Sequence, residues 1–130
     1  MEDLSHTIDK YDNALNRCES LFKNKTADYG TAWRILRTSS LTDQIFIKAN
    51  RIRTIQEVEV AKVDEGITPE FIGIVNYSLM ALVQLELPSD YTLDLPAEEA
   101  NERFQHAAKK TRDLMLNKNH DYGEAWRDMR

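Results

Sequence analysis

An eleven-residue pattern occurs twice in this chain, and it limits the possible folds more than any other feature. The first copy reads Asn24-Lys25-Thr26-Ala27-Asp28-Tyr29-Gly30-Thr31-Ala32-Trp33-Arg34, and the second Asn117-Lys118-Asn119-His120-Asp121-Tyr122-Gly123-Glu124-Ala125-Trp126-Arg127. Asn, Lys, Asp, Tyr, Gly, Ala, Trp and Arg recur in register, Arg37 and Arg130 extend the match, and both tryptophans lie inside it. A turn, an aromatic anchor and a cation copied together point to an internal duplication of one structural unit.

The unit is helical. Leu4, Ile8, Tyr11, Leu15, Cys18 and Phe22 step by four and three along one face, the period of an amphipathic helix. The equivalent positions of the second copy, Ala97, Asn101, Phe104, Ala108, Thr111 and Met115, are again mostly apolar. Each copy therefore predicts a helix running into an Asp-Tyr-Gly turn. Downstream the symmetry fails: the first copy continues into two more helices, whereas the second stops at Arg130. The expectation is a single all-α domain over residues 1–130, with unit one over about 1–87 and a partial, incomplete second unit over about 94–130.

About four main helices are readable, forming a helical bundle. The first spans roughly Leu4 to Phe22. Ser39-Ser40-Leu41-Thr42 supplies N-cap candidates for the second, in which Leu41, Ile45, Ile52 and Ile55 face inward. A linker from Lys62 to Gly66 leads to Thr68-Pro69-Glu70, which reads as the start of the third helix: a capping Thr, then Pro, then an acid. That helix is apolar nearly all round, which predicts a central position. Its most apolar run, Phe71 to Leu85, is interrupted by polar residues and reads as too short to span a bilayer. Pro88 stops it, and Pro96 with Glu98 and Glu99 opens the fourth helix.

Charge narrows the partners. A net charge of -5, spread along the chain, argues against binding duplex nucleic acid through a basic surface. It leaves room for a nucleotide or deoxynucleotide, whose phosphates need only a few local cations. Cys18, the only cysteine, sits on the apolar stripe without a partner, which fits a reducing, cytoplasmic setting better than a disulfide or zinc site. The acidic N-terminus lacks an apolar signal core, and no membrane role is expected.

Several residues combine the right chemistry for a site. In the repeated turn, Gly30 suits a positive φ and Asp28 suits capping. Lys25 and Arg34 suit phosphate, and Tyr29 and Trp33 suit stacking on a base. The same turn also serves as plain architecture, with Trp33 packed back on the first helix. Lys48 and Arg51 place two cations on one helix face, either paired with Asp43 or Glu57 or clamping a phosphate. Asp64, Glu65 and Glu70 cluster at the start of the third helix, as capping acids or as oxygen ligands for Mg²⁺. Asn76 is an amide inside an apolar helix and needs a partner, from the core or from a ligand. His6 and His106 stand outside any cluster.

The run Asn-Lys-x-x-Asp-Tyr-Gly-x-Ala-Trp, then Lys48-x-Asn50-Arg51-Ile52, Asp64-Glu65-Gly66-Ile67 and Asn76-Tyr77-Ser78-Leu79-Met80, resembles the nucleotide modification associated domain 1 family. The likeness covers about Lys23 to Leu85 and the start of the second copy. More distantly, the layout is similar to all-α nucleoside triphosphate pyrophosphatases of the MazG-like type, which hold Mg²⁺ with carboxylates on adjacent helices. The resemblance implies Lys48 and Arg51 near phosphate and Glu65 near metal, with Glu70 as the first acid of a Glu-x-x-Asp pair. The chain departs where Gly73 occupies the position of the second acid.

The resulting expectation is a nucleotide-binding all-α domain related to Mg²⁺-dependent (d)NTP pyrophosphohydrolases, with its metal site depleted. The rival is a non-catalytic helical interaction module. Its unmatched second unit leaves apolar surface for a homo-oligomer to cover.

Overall fold

The computed structural model describes residues 2–58 and 63–122, and the side chains of 5–58 and 66–120. Four helices follow one another: α1 Glu2–Tyr29, α2 Thr38–Val58, α3 Val63–Glu86 and α4 Ala97–Tyr122, with a short 3-10 helix, Ala32–Ile35, between α1 and α2. The described residues contain no strand. The all-α bundle expected from the periodicity is the observed fold.

The two repeated helices form the heart of the core. Phe22 of α1 stacks on Phe104 of α4, with centroids 3.9 Å apart and rings inclined by 13°. Asp12 meets Arg112 through a two-pronged pair at 2.7 and 3.0 Å. Contacts move back along α4 as they advance along α1, so the two helices run antiparallel. Leu79 and Val83 of α3, Ala100, Ala107 and Ala108 of α4, and Leu87 and Leu95 of the connecting loop complete a core exposed by at most 8%. The alanines explain why α4 lies so close: small side chains let the rings on either side interleave. The duplication shows here too, since the equivalent Thr26 and Asn119 are both buried polar residues.

The helix boundaries differ from the sequence expectation in instructive ways. α1 continues beyond Phe22 to Tyr29, and Gly30 then ends it with a φ of 68°. Its N–H bonds back to the carbonyl of Thr26 at 2.8 Å, a left-handed C-terminal cap that glycine adopts at no steric cost. α2 begins at Thr38, one residue before the expected cap cluster. α3 begins at Val63, so residues 63–66 of the expected linker are helical and Pro69 lies inside the helix. Packing explains that early start. Gly66 brings α3 so near α2 that a Cβ there would stand 3.3 Å from the Ile55 Cδ1. Contact of this kind outweighs the backbone bond that Pro69 cannot make.

α2 and α3 pack along each other as a hairpin, and Leu41 and Ile52 are buried on the inner face of α2 as expected. The central position expected for α3 holds on one side only. Asn76, Leu79 and Val83 are buried, yet Phe71, Val75, Leu82 and Leu85 are 37–69% exposed. The 21-residue stretch Gly66–Glu86 contains a window of mean hydropathy 1.3, of which only 17% is buried. By length and composition alone it is apolar enough to cross a bilayer, contrary to the expectation drawn from the shorter run.

Candidate functional site

A cleft of about 540 Å³ opens where the end of α1, the 3-10 helix, α2 and α3 converge. This volume is within the usual range for small-molecule sites. No described side chain of α4 contributes to its lining. The candidates Lys25 and Tyr29 reach it from the last turns of α1, Trp33 from the 3-10 helix, Lys48 from α2, and Glu70 and Asn76 from α3. Residues scattered over some fifty positions of sequence thus share one wall-to-wall space, together with Gly73 and Tyr77.

Aromatic groups hold one side. Trp33 tilts against Phe22 at 6.1 Å and 57°, so it packs on α1 and lines the cleft at once. Its buried indole Nε1 has no hydrogen-bond partner. Tyr29 is 76% exposed at the mouth. Tyr77 joins them, named in the sequence only as part of the Asn76-Tyr77 run and not as a site residue. The available signal was its spacing, because 70, 73 and 77 fall on one face of α3.

Polar groups hold the other side. The Asn76 Nδ2 donates to the Cys18 carbonyl at 3.1 Å and ties α3 to α1, but its buried Oδ1 accepts no bond. Leaving such an acceptor dry costs about 1–3 kcal/mol, which a ligand donor or a water would recover. Glu70 receives two cations of α2 on one oxygen: Lys48 Nζ lies 3.6 Å and Arg51 Nη1 3.3 Å from Oε1. The partner of Lys48 and Arg51 is therefore Glu70, whereas Glu57 pairs with Arg53. Lys25 meets no carboxylate among the described residues.

Gly73 has a physical role that its missing side chain concealed. A Cβ at that position would stand 3.1 Å from Cε and 3.3 Å from Cδ of Lys48. The bare backbone gives the lysine stem room to lie across α3 and present its ammonium beside Glu70.

Other candidates lie outside the cleft lining. Arg34 is buried on another side, donating to the Gln84 Oε1 and to the carbonyls of Tyr91 and Thr92, the last at 2.8 Å. Gln84 returns bonds to the carbonyls of Arg34 and Leu36 at 3.0 and 2.9 Å. This network pins the 3-10 helix to α3 and the loop, so the phosphate role expected of Arg34 has no geometric support. Asp28 is exposed in the last turn of α1, and the turn is closed by the backbone of Gly30 instead. Arg51 sits outside the lining, 59% exposed in its side chain. The side chain of Glu65, and Gly123 through Arg130 of the second copy, lie outside the described residues.

The fit of Mg²⁺ follows from the donors. Among the described residues, no three His, Cys, Asp or Glu side chains come together to hold a metal. Glu70 is engaged by two cations, and Gly73 offers no ligand. The described donor set does not fit a divalent cation.

Residues 25–85, a little under half of the chain, match the model of the nucleotide modification associated domain 1 family. The match takes in the last turn of α1, the 3-10 helix, α2 and most of α3, and so every lining residue except Leu21 and Phe22, but none of α4. No curated protein and no solved structure matches the chain, and the more distant MazG-like resemblance gains nothing from these comparisons.

Proposed function

We propose that the cleft binds a nucleotide, with its phosphate between Lys25 and Lys48 and its base against Trp33, Tyr29 and Tyr77. One observation carries this reading: two lysines, three aromatic rings and a buried, unsatisfied Asn76 oxygen line a single ligand-sized space. A lysine at a partly buried site forms charge-assisted bonds to phosphate, and a base stacked on an aromatic ring contributes about 1–3 kcal/mol. The Asn76 oxygen is suited to an exocyclic amino group or a sugar hydroxyl. The match of residues 25–85 to a nucleotide modification associated domain supports this reading.

The proposed activity is recognition rather than metal-dependent hydrolysis. A phosphate entering beside Lys48 takes the place of the Glu70 carboxylate, a substitution of one anion for another that needs no divalent ion. Titration calorimetry with nucleoside mono-, di- and triphosphates, first in EDTA and then with Mg²⁺, tests both parts. The expected result is saturable binding in EDTA, quenched Trp33 fluorescence, and affinity at least tenfold weaker in Lys48→Ala, which is about 1.4 kcal/mol. Absence of binding by every nucleotide overturns the reading. Efficient pyrophosphate release with Mg²⁺ overturns the metal-free part and restores the pyrophosphohydrolase expectation.

A further inference from the structure

The most apolar of the described helices has one long face that the described residues leave uncovered. Phe71, Val75, Leu82 and Leu85 are 51, 37, 42 and 69% exposed. With Ser78 between them they follow a 4-3-4-3 spacing, the seam of a paired helix. From Phe71 to Leu85 the sequence holds no charged residue, whereas a solvated helix face normally carries several. The stripe runs about 21 Å along the axis. None of these five residues lines the cleft, which α3 meets with Glu70, Gly73 and Tyr77, so covering the stripe leaves the nucleotide cleft open.

We propose that this face of α3 pairs antiparallel with the same face of a second copy of the chain, about a two-fold axis near Ser78. The stripe is nearly symmetric about its centre, with two large apolar residues on either side of a small one, as a self-complementary two-fold contact requires. Ser78 at the crossing point lets the two backbones approach. The area is suitable. At about 150–200 Å² for a large apolar side chain, the four exposed fractions sum to roughly 350 Å² per copy. A stable interface buries about 800 Å² per partner, a little over half of it apolar, so the stripe supplies most of the apolar share. A lipid surface fits less well. The other face of α3 is tied down by Asn76 to α1 and by Gln84 to the 3-10 helix, and a net charge of -5 repels anionic headgroups.

Sedimentation velocity and light scattering on the full chain test the pairing. The expected mass is twice 15.1 kDa. Leu82→Glu is expected to give a monomer with unchanged helical circular dichroism. Leu114→Glu, at a residue 56% exposed on α4, leaves the dimer intact. If Leu82→Glu fails to fold, Ser78→Cys in a Cys18→Ser background decides, since mild oxidation then links two chains through position 78. A strict monomer at the highest soluble concentration overturns the proposal. So does a dimer that survives Leu82→Glu and does not cross-link at 78, or a monomer that floats with phosphatidylcholine vesicles.

Discussion

The α1–α4 pair and the α2–α3 hairpin each bring large apolar side chains to the bundle, but the structure uses them in opposite ways. Phe22 and Phe104 are 2% and 1% exposed and stacked ring on ring, while Phe46 and Phe71 of the hairpin are 65% and 51% exposed. The alanine-rich face of α4 is less apolar than α3 but far better covered. Apolar content thus reports how much surface a helix can bury, and neighbours decide whether it is buried. The two regions also divide the work: the repeated pair holds the fold, while the hairpin completes the cleft and leaves a face free.

That division predicts separable effects. The largest belongs to the core, where Phe104→Ala removes one ring of the stack and is expected to cost about 4 kcal/mol in denaturant unfolding. A loss below about 1 kcal/mol would erase the distinction between the two regions. Gly30→Ala comes next. Forcing an alanine into the left-handed cap at φ 68° is expected to cost about 1–2 kcal/mol, with the cleft weakened because Tyr29 and Trp33 flank the turn.

Gly73→Ala sharpens the comparison from the hairpin side. Alanine favours the helix by about 1 kcal/mol, but its Cβ crowds the Lys48 stem. Stability by thermal melting is expected to hold or rise slightly while nucleotide affinity by calorimetry falls several-fold. Equal losses in both would show that Gly73 serves packing alone.

The smallest effect is electrostatic. Hydrogen bonds from Arg112 hold the Asp12 carboxyl below its ordinary 3.8. Bonds from Lys110 lower Glu86, and those from Tyr91 and Arg103 lower Glu99, below the ordinary 4.5. A carboxyl depressed on folding stabilises above its unfolded pKa, and that contribution is lost as pH falls through the folded value. Melting temperature is therefore expected to be level above about pH 5 and to decline below about pH 4. Arg112→Gln should lower the plateau slightly and leave the acid end unchanged, so that the fall between them shrinks; the effect is small because the groups are exposed and screened.

Much of the site was legible because it recurs or breaks a pattern. Lys25, Tyr29 and Trp33 stood out through the repeat, and Asn76 through its place in an apolar helix. Lys48 stood out through its spacing to Arg51. The repeat marked Lys25 and Arg34 alike, but Lys25 lines the cleft and Arg34 is tied to Gln84 and the loop: repetition marks a residue as structurally necessary and does not distinguish a ligand contact from a buried strut. Gly73 read as an absence, since sequence shows what side chain is missing but not what passes through the space. Tyr77 stood in the Asn-Tyr run that carries the family resemblance, one helical turn beyond Gly73, but nothing local marked it as a cleft residue.

By itself the sequence determined the helical class, the duplicated helix and its turn, the inward stripes and the segment that carries the family match. Those depend on interactions a few residues apart, where period, capping and left-handed glycine act locally. Only the tertiary structure decided that Arg34 faces the loop, that Glu70 is claimed by two cations, that Lys48 crosses Gly73, and that the most apolar helix keeps a face uncovered. Each of these depends on which elements meet across long stretches of chain, a contest among packing, charge and burial that no local pattern encodes.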